Sequence, residues 1–127
     1  MPIVIPAAKS LTLCDAVVRL EGGKTNLHGL FNSIRVVQYP YALGHFCAFA
    51  QLSQGLGEVA AHLEVRWAKA EEPLFVTSRR RLDFPHREFL IHLAVEIREC
   101  VFENPGIYLV ELFCNDAWVC DTSLQLR

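Results

Sequence analysis

Between Phe89 and Arg98 apolar and polar positions alternate, with Phe89, Ile91, Leu93, Val95 and Ile97 on one side of a period-2 repeat. Leu90, His92, Ala94, Glu96 and Arg98 form the other, mixed side. A helix would scatter the apolar set around its circumference, so the pattern predicts a strand. Asn104-Pro105-Gly106 then turns the chain, because Pro presets φ and Gly accepts a positive φ. Ile107 to Phe113 reads as the next strand, Asn115-Asp116 as a tight turn, and Trp118 to Leu126 as the closing strand. His86 to Leu126 is therefore a β-meander that supplies most of one core.

The preceding residues carry the same kind of signal in shorter pieces. Residues 1–9 read as a lead-in segment. Ser10 to Leu20 is the first strand, with Leu11, Leu13 and Val17 on one face and a bulge expected at Cys14-Asp15-Ala16. Glu21-Gly22-Gly23-Lys24 is a hairpin turn, since paired glycines permit positive φ. Thr25 to Val37 changes phase at Asn32-Ser33, which predicts two short strands or one bulged strand. Gln38 to Gly44 is a loop around Pro40. Phe46 to Ser53 is apolar on both faces, as suits a central strand covered on both sides or a strand at a subunit contact.

Glu58 to Lys69 has two readings. Val59, Leu63 and Trp67 keep helical spacing, while Val59, Ala61, Leu63, Val65 and Trp67 alternate as a strand would. The close spacing of neighbouring turns favours the strand. Leu74 to Phe84 is a further strand, with Phe75 and Val76 inward and Arg79 and Arg81 outward. About eight short strands in 10–127 predict an all-β protein: a single antiparallel β-sandwich, immunoglobulin-like in general architecture. One domain suffices for 127 residues.

Composition narrows the partners. Apolar residues make up 52% and charged residues 20%, and the mean hydropathy is +0.24. The net charge of −2 offers no general attraction to nucleic acid or to an anionic membrane, so neither is expected as a partner. No segment approaches the roughly 20 apolar residues of a membrane span, and a cytoplasmic location is expected. Five cysteines without a CxxC pair are expected as free thiols. With a two-residue turn at Asn115-Asp116, Cys114 would face Ala117 and Cys120 would face Glu111, putting the two sulfurs on opposite faces.

Candidate chemistry is sparse. The histidines (28, 45, 62, 86 and 92) show no HxH, HExxH or CxxH spacing, so no metal is expected. Cys14-Asp15 has no local signature that would activate a thiol. Gly22-Gly23-Lys24-Thr25 resembles the tail of a phosphate-binding loop, but the residue five before Gly23 is Val18 and no helix follows. The dense positive run Arg79-Arg80-Arg81 remains. Arg79 and Arg81 share a strand face, with Arg87 and Arg98 expected near it, and could contact an anion or an acidic partner. Aromatic residues do not interleave with these arginines in sequence as on a single-strand nucleic-acid platform.

Cys14-Asp15, Glu21-Gly22-Gly23-Lys24-Thr25-Asn26-Leu27, Gly29-Leu30-Phe31-Asn32-Ser33-Ile34, Gln54-Gly55-Leu56-Gly57-Glu58 and Phe102-Glu103-Asn104-Pro105-Gly106-Ile107-Tyr108 together look familiar. They resemble a family of short bacterial proteins known only as a domain of unknown function, with a β-sandwich fold. The resemblance spans roughly residues 12–126 and implies a fold, with no catalytic residue or cofactor. The expected function is a non-enzymatic protein-interaction or self-associating module, its partner a second copy (a homodimer) or another protein. The alternative is a small-ligand or anion-binding module using an inter-sheet cavity or the Arg79/Arg81 face.

Overall fold

The computed structural model describes residues 2–127. It contains β1 (Ala7–Cys14), β2 (Ala16–Arg19), β3 (Thr25–His28), β4 (Ser33–Ile34), β5 (Tyr41–Ser53) and β6 (Gly57–Trp67). β7 (Phe75–Val76), β8 (Arg80–Phe84), β9 (Ile91–Phe102), β10 (Gly106–Cys114) and β11 (Ala117–Leu126) follow. The described residues contain no α-helix, only a 3₁₀ turn at Glu21–Gly23. The protein is all-β. Glu58–Lys69 resolves as strand, and the expected eight strands become eleven.

The strands form three sheets. One has the order β1-β5-β9. The second runs β4-β11-β10-β6, with β7 and β8 both paired to β6, and the third is the β2–β3 hairpin. All pairings are antiparallel except β4 with β11. The two larger sheets share one core. Leu13, Phe46, Ala50, Leu93 and Ile97 come from the first; Leu63, Val65, Val110, Leu112 and Leu124 come from the second. Each sits at alternate positions of its strand, and fully burying one such side chain contributes about 1.5–3 kcal/mol.

Three breaks explain the extra strands. β1 begins at Ala7, and Val4 exchanges backbone hydrogen bonds with Leu56, so the expected lead-in is already part of the structure. At Asp15 the chain does more than bulge: it leaves the first sheet to start the hairpin. The Asp15 N–H donates to the His28 carbonyl (2.8 Å), and its side chain fills the space that a Cβ on Gly29 (φ +68°) would occupy. Between β7 and β8, Thr77 bonds Leu63 twice. Its N–H donates to the Leu63 carbonyl and its hydroxyl accepts from the Leu63 N–H, both at 2.9 Å. Val76, expected inward, is 53% exposed.

The hairpin answers the question posed by the two-sided strand. Cys47 and Phe49 lie on the face of β5 away from the shared core, yet are only 5% and 6% exposed. The Cys47 thiol points at the Asp15 carbonyl (3.9 Å), and Arg19 donates to the His92 carbonyl (2.9 Å), tying the hairpin to that face. The apolar outer surface is covered within the chain. It no longer argues for a dimer.

A bulge between Leu112 and Phe113 corrects the cysteine geometry. Cys114 faces Ala117 as expected, but Cys120 faces Leu112 rather than Glu111 and so turns to the core side. All five thiols are free.

The two large sheets meet on one side only. There β1 approaches β11, and residues 31–34 stitch them together: the Phe31 N–H donates to the Leu13 carbonyl (3.1 Å) and the Gln125 N–H to the Asn32 carbonyl (2.8 Å). On the other side β8 is paired with β6 alone and β9 with β5 alone. A seam opens between them.

Candidate functional site

The seam is a groove of about 640 Å³. One wall is the β7–β8 segment from Phe75 to Arg81; the other is Val95, Glu96 and Arg98 of β9. Four arginines and one glutamate line it, above partly buried Phe75 and Val95.

Strand alternation aims the arginines differently. Arg80 pairs with the core residue Ala61, while Arg81 pairs with Ala60, so Arg80 and Arg81 project to opposite faces. Arg79 and Arg81 lie on the outer face, as expected. Arg81 is ion-paired with Glu58, whose hydrogen bond and charge raise the guanidinium pKa further. Arg79 donates to Asp116 Oδ1 (2.7 Å) and to His62 Nδ1 (3.3 Å). Because Nδ1 accepts, the ring hydrogen lies on Nε2, which donates to Glu64 Oε2 (2.9 Å). Arg98 bonds Glu96 (2.8 and 3.2 Å). That hydrogen bond and charge, with a smaller contribution from His45, hold the Glu96 carboxyl below its usual range.

Arg80 is different. Its Nη1 crosses the seam to the Ala94 carbonyl at 2.6 Å, and among the described residues no carboxylate lies within ion-pairing distance of it. The other three guanidiniums of the groove are each paired with a carboxylate, Arg79 with Asp116, Arg81 with Glu58 and Arg98 with Glu96. Sequence reasoning passed over Arg80 for its neighbours; the signal was its phase, one residue out of step with both. Arg98 does join the seam. Arg87 does not, for it donates to the Gln54 carbonyl (2.9 Å).

Cross-strand register supplies aromatics that the linear sequence hides. His62, Phe113 and Trp118 are direct neighbours across β6, β10 and β11, with His62 stacked on Phe113 (5.2 Å, 12°) and Arg79 at the end of the row.

The remaining candidates bring no chemistry together. Cys14 is fully buried beside Cys47, and burial first, then the neighbouring thiol, pushes its pKa up. Burial likewise pushes Cys100 to about 12 and Cys114 and Cys120 to about 11. Such thiols are poor nucleophiles. Gly22-Gly23-Lys24-Thr25 lies at the tip of the β2–β3 hairpin, with both glycines at φ +78°. Among the described residues no group of three or more His, Cys, Asp or Glu is placed to hold a metal, and no helix is long and apolar enough to cross a membrane.

Residues 9–127 match the profile of a protein family described as a family of unknown function (DUF6941). A search of curated proteins finds no match. Among solved structures, the chain is similar to a Pseudomonas fluorescens alkylpurine DNA glycosylase, AlkC, bound to DNA containing an abasic site analog. The TM-score is 0.52 at 11% identity, covering 92% of this chain and 30% of that one. The likeness is one of fold. It nevertheless overturns the exclusion of nucleic acid as a partner. Net charge averages over the whole surface, whereas four arginines converge on one groove of a fold that also occurs in a DNA-bound protein.

Proposed function

Because the chain belongs to DUF6941, a family of unknown function, we propose its role from its own geometry: a non-enzymatic anion-binding module whose site is the β8–β9 seam. The observation that carries this reading is Arg80, a guanidinium in the groove whose partner is a neutral carbonyl. An incoming phosphate or carboxylate offers it a stronger, charge-assisted bond than Ala94 does. Arg98 stands on the opposite wall, so one ligand can engage both sheets. The Tyr108 hydroxyl donates to the Asn104 carbonyl four residues upstream (2.6 Å), an arrangement like the tyrosine corner. This supports an immunoglobulin-like sandwich as the scaffold. Free, mostly buried thiols are in keeping with a cytoplasmic setting.

Calorimetric titration with pyrophosphate at low and moderate salt tests the site. The native protein is expected to bind, with Arg80→Gln and Arg98→Gln each weakening affinity by about tenfold. Affinity equal to that of the native protein in both variants would remove the seam from consideration.

A second reading, contact with the phosphates of nucleic acid, is favoured by the DNA bound to the similar glycosylase and by the aromatic row beside Arg79. The next row on the same face opposes it: Glu64, Glu111 and Asp121 are cross-strand neighbours, and Arg66 (3.1 Å) offsets only the charge of Glu111. The anion-binding seam itself is the stronger reading.

A further inference from the structure

We propose that the seam takes an extended acidic peptide, which adds as a strand to the free edge of β9. This rests on the anion-binding reading and names the occupant. β9 runs from Ile91 to Phe102 with one hydrogen-bonded neighbour, β5. Its other edge faces the groove, as the Ala94 carbonyl shows by accepting from Arg80 across the gap. In an antiparallel strand the N–H and C=O of one residue point the same way and alternate along the chain. Ala94 and Glu96 therefore both present backbone groups to the seam. Side chains now occupy two acceptors of that edge, Arg19 at the His92 carbonyl and Arg80 at the Ala94 carbonyl, and a peptide running alongside would displace both. A peptide backbone offers matching donors and acceptors in series, which a phosphate or a nucleic-acid strand does not.

The lining specifies the peptide's pattern. Extended side chains alternate between two directions. One set would lie over partly buried Phe75 and Val95, and the other would meet the arginines of the rims. Alternating apolar and acidic residues satisfy both. A heptapeptide spans about 23 Å, enough to run alongside β9 from His92 to Arg98.

The probe is a fluorescein-labelled, end-blocked heptapeptide alternating Val and Glu, with an isomer of the same composition that groups its Glu and Val in blocks. An oligothymidylate of eight nucleotides is the third ligand. The alternating peptide is expected to bind at least about tenfold tighter than the block isomer in anisotropy titrations. Glu96→Pro is expected to lose about tenfold even though it removes a negative charge from the groove, because it removes an edge N–H. Circular dichroism checks its fold. Independently of any variant, the Glu96 amide of the native protein should gain hydrogen-exchange protection when the alternating peptide binds.

Equal binding of the two isomers, or no added protection at Glu96, overturns strand addition and leaves the anion-binding reading standing. Binding of the oligothymidylate without the alternating peptide overturns it in favour of nucleic acid. If neither they nor pyrophosphate bind, both readings fall together.

Discussion

Arg80 and Ala94 are joined by a 2.6 Å hydrogen bond that spans the gap between two sheets, the guanidinium coming from one and the carbonyl from the other. The arginine is exposed, so water competes for the bond. Arg80→Gln is expected to cost about 0.5–1.5 kcal/mol in a urea titration. A loss well above that range would mean that the bond holds the sheets together rather than resting across an open groove.

Gly29→Ala should be more damaging. The residue sits at φ +68°, and the added methyl would meet the Asp15 carboxylate. The strained backbone alone costs about 1–3 kcal/mol, and the contact adds to it. Adding Asp15→Ala should recover the contact part and leave the backbone part, so the pair will be non-additive in equilibrium unfolding.

Much of this fold was legible in the sequence, because the alternation from Phe89 to Ile97 and the Asn115-Asp116 turn are local properties of the chain. What was hidden depends on partners. Nothing around Thr77 announces that its hydroxyl and amide will both be claimed by Leu63 and split one strand into β7 and β8. The bulge that turns Cys120 toward the core is set where β11 meets β10, and it reverses a face assignment by a single residue. The same holds for the site. Arg79 and Arg81 could be read as one face, but Arg80 acquired its role from Ala94, far along the chain in another sheet.

Stability should fall in alkali. Cys100 rises from 9.0 to about 12 on folding, so between those values the native state holds a proton that the unfolded chain has released. The contribution is therefore fully present below pH 9 and is lost as pH climbs through about 12. Denaturant midpoints measured from pH 8 upward should decline, and Cys100→Ala should decline less steeply. Parallel slopes would assign the alkaline loss to other groups.

Self-association is not needed to cover β5. Light scattering over a tenfold range of concentration is expected to return the monomer mass of 14.4 kDa. A persistent dimer would point instead to exposed side chains such as Leu90 or Trp118.

The β2–β3 hairpin carries a consequence for dynamics. Cys14 and Cys47 are cross-strand partners on the face it covers, whereas Cys100 and Cys114 belong to the shared core. Lifting the hairpin would expose the first pair and leave the second protected. The chain thus carries two internal clocks for thiol modification: one runs at the rate of a local opening, the other at the rate of global unfolding.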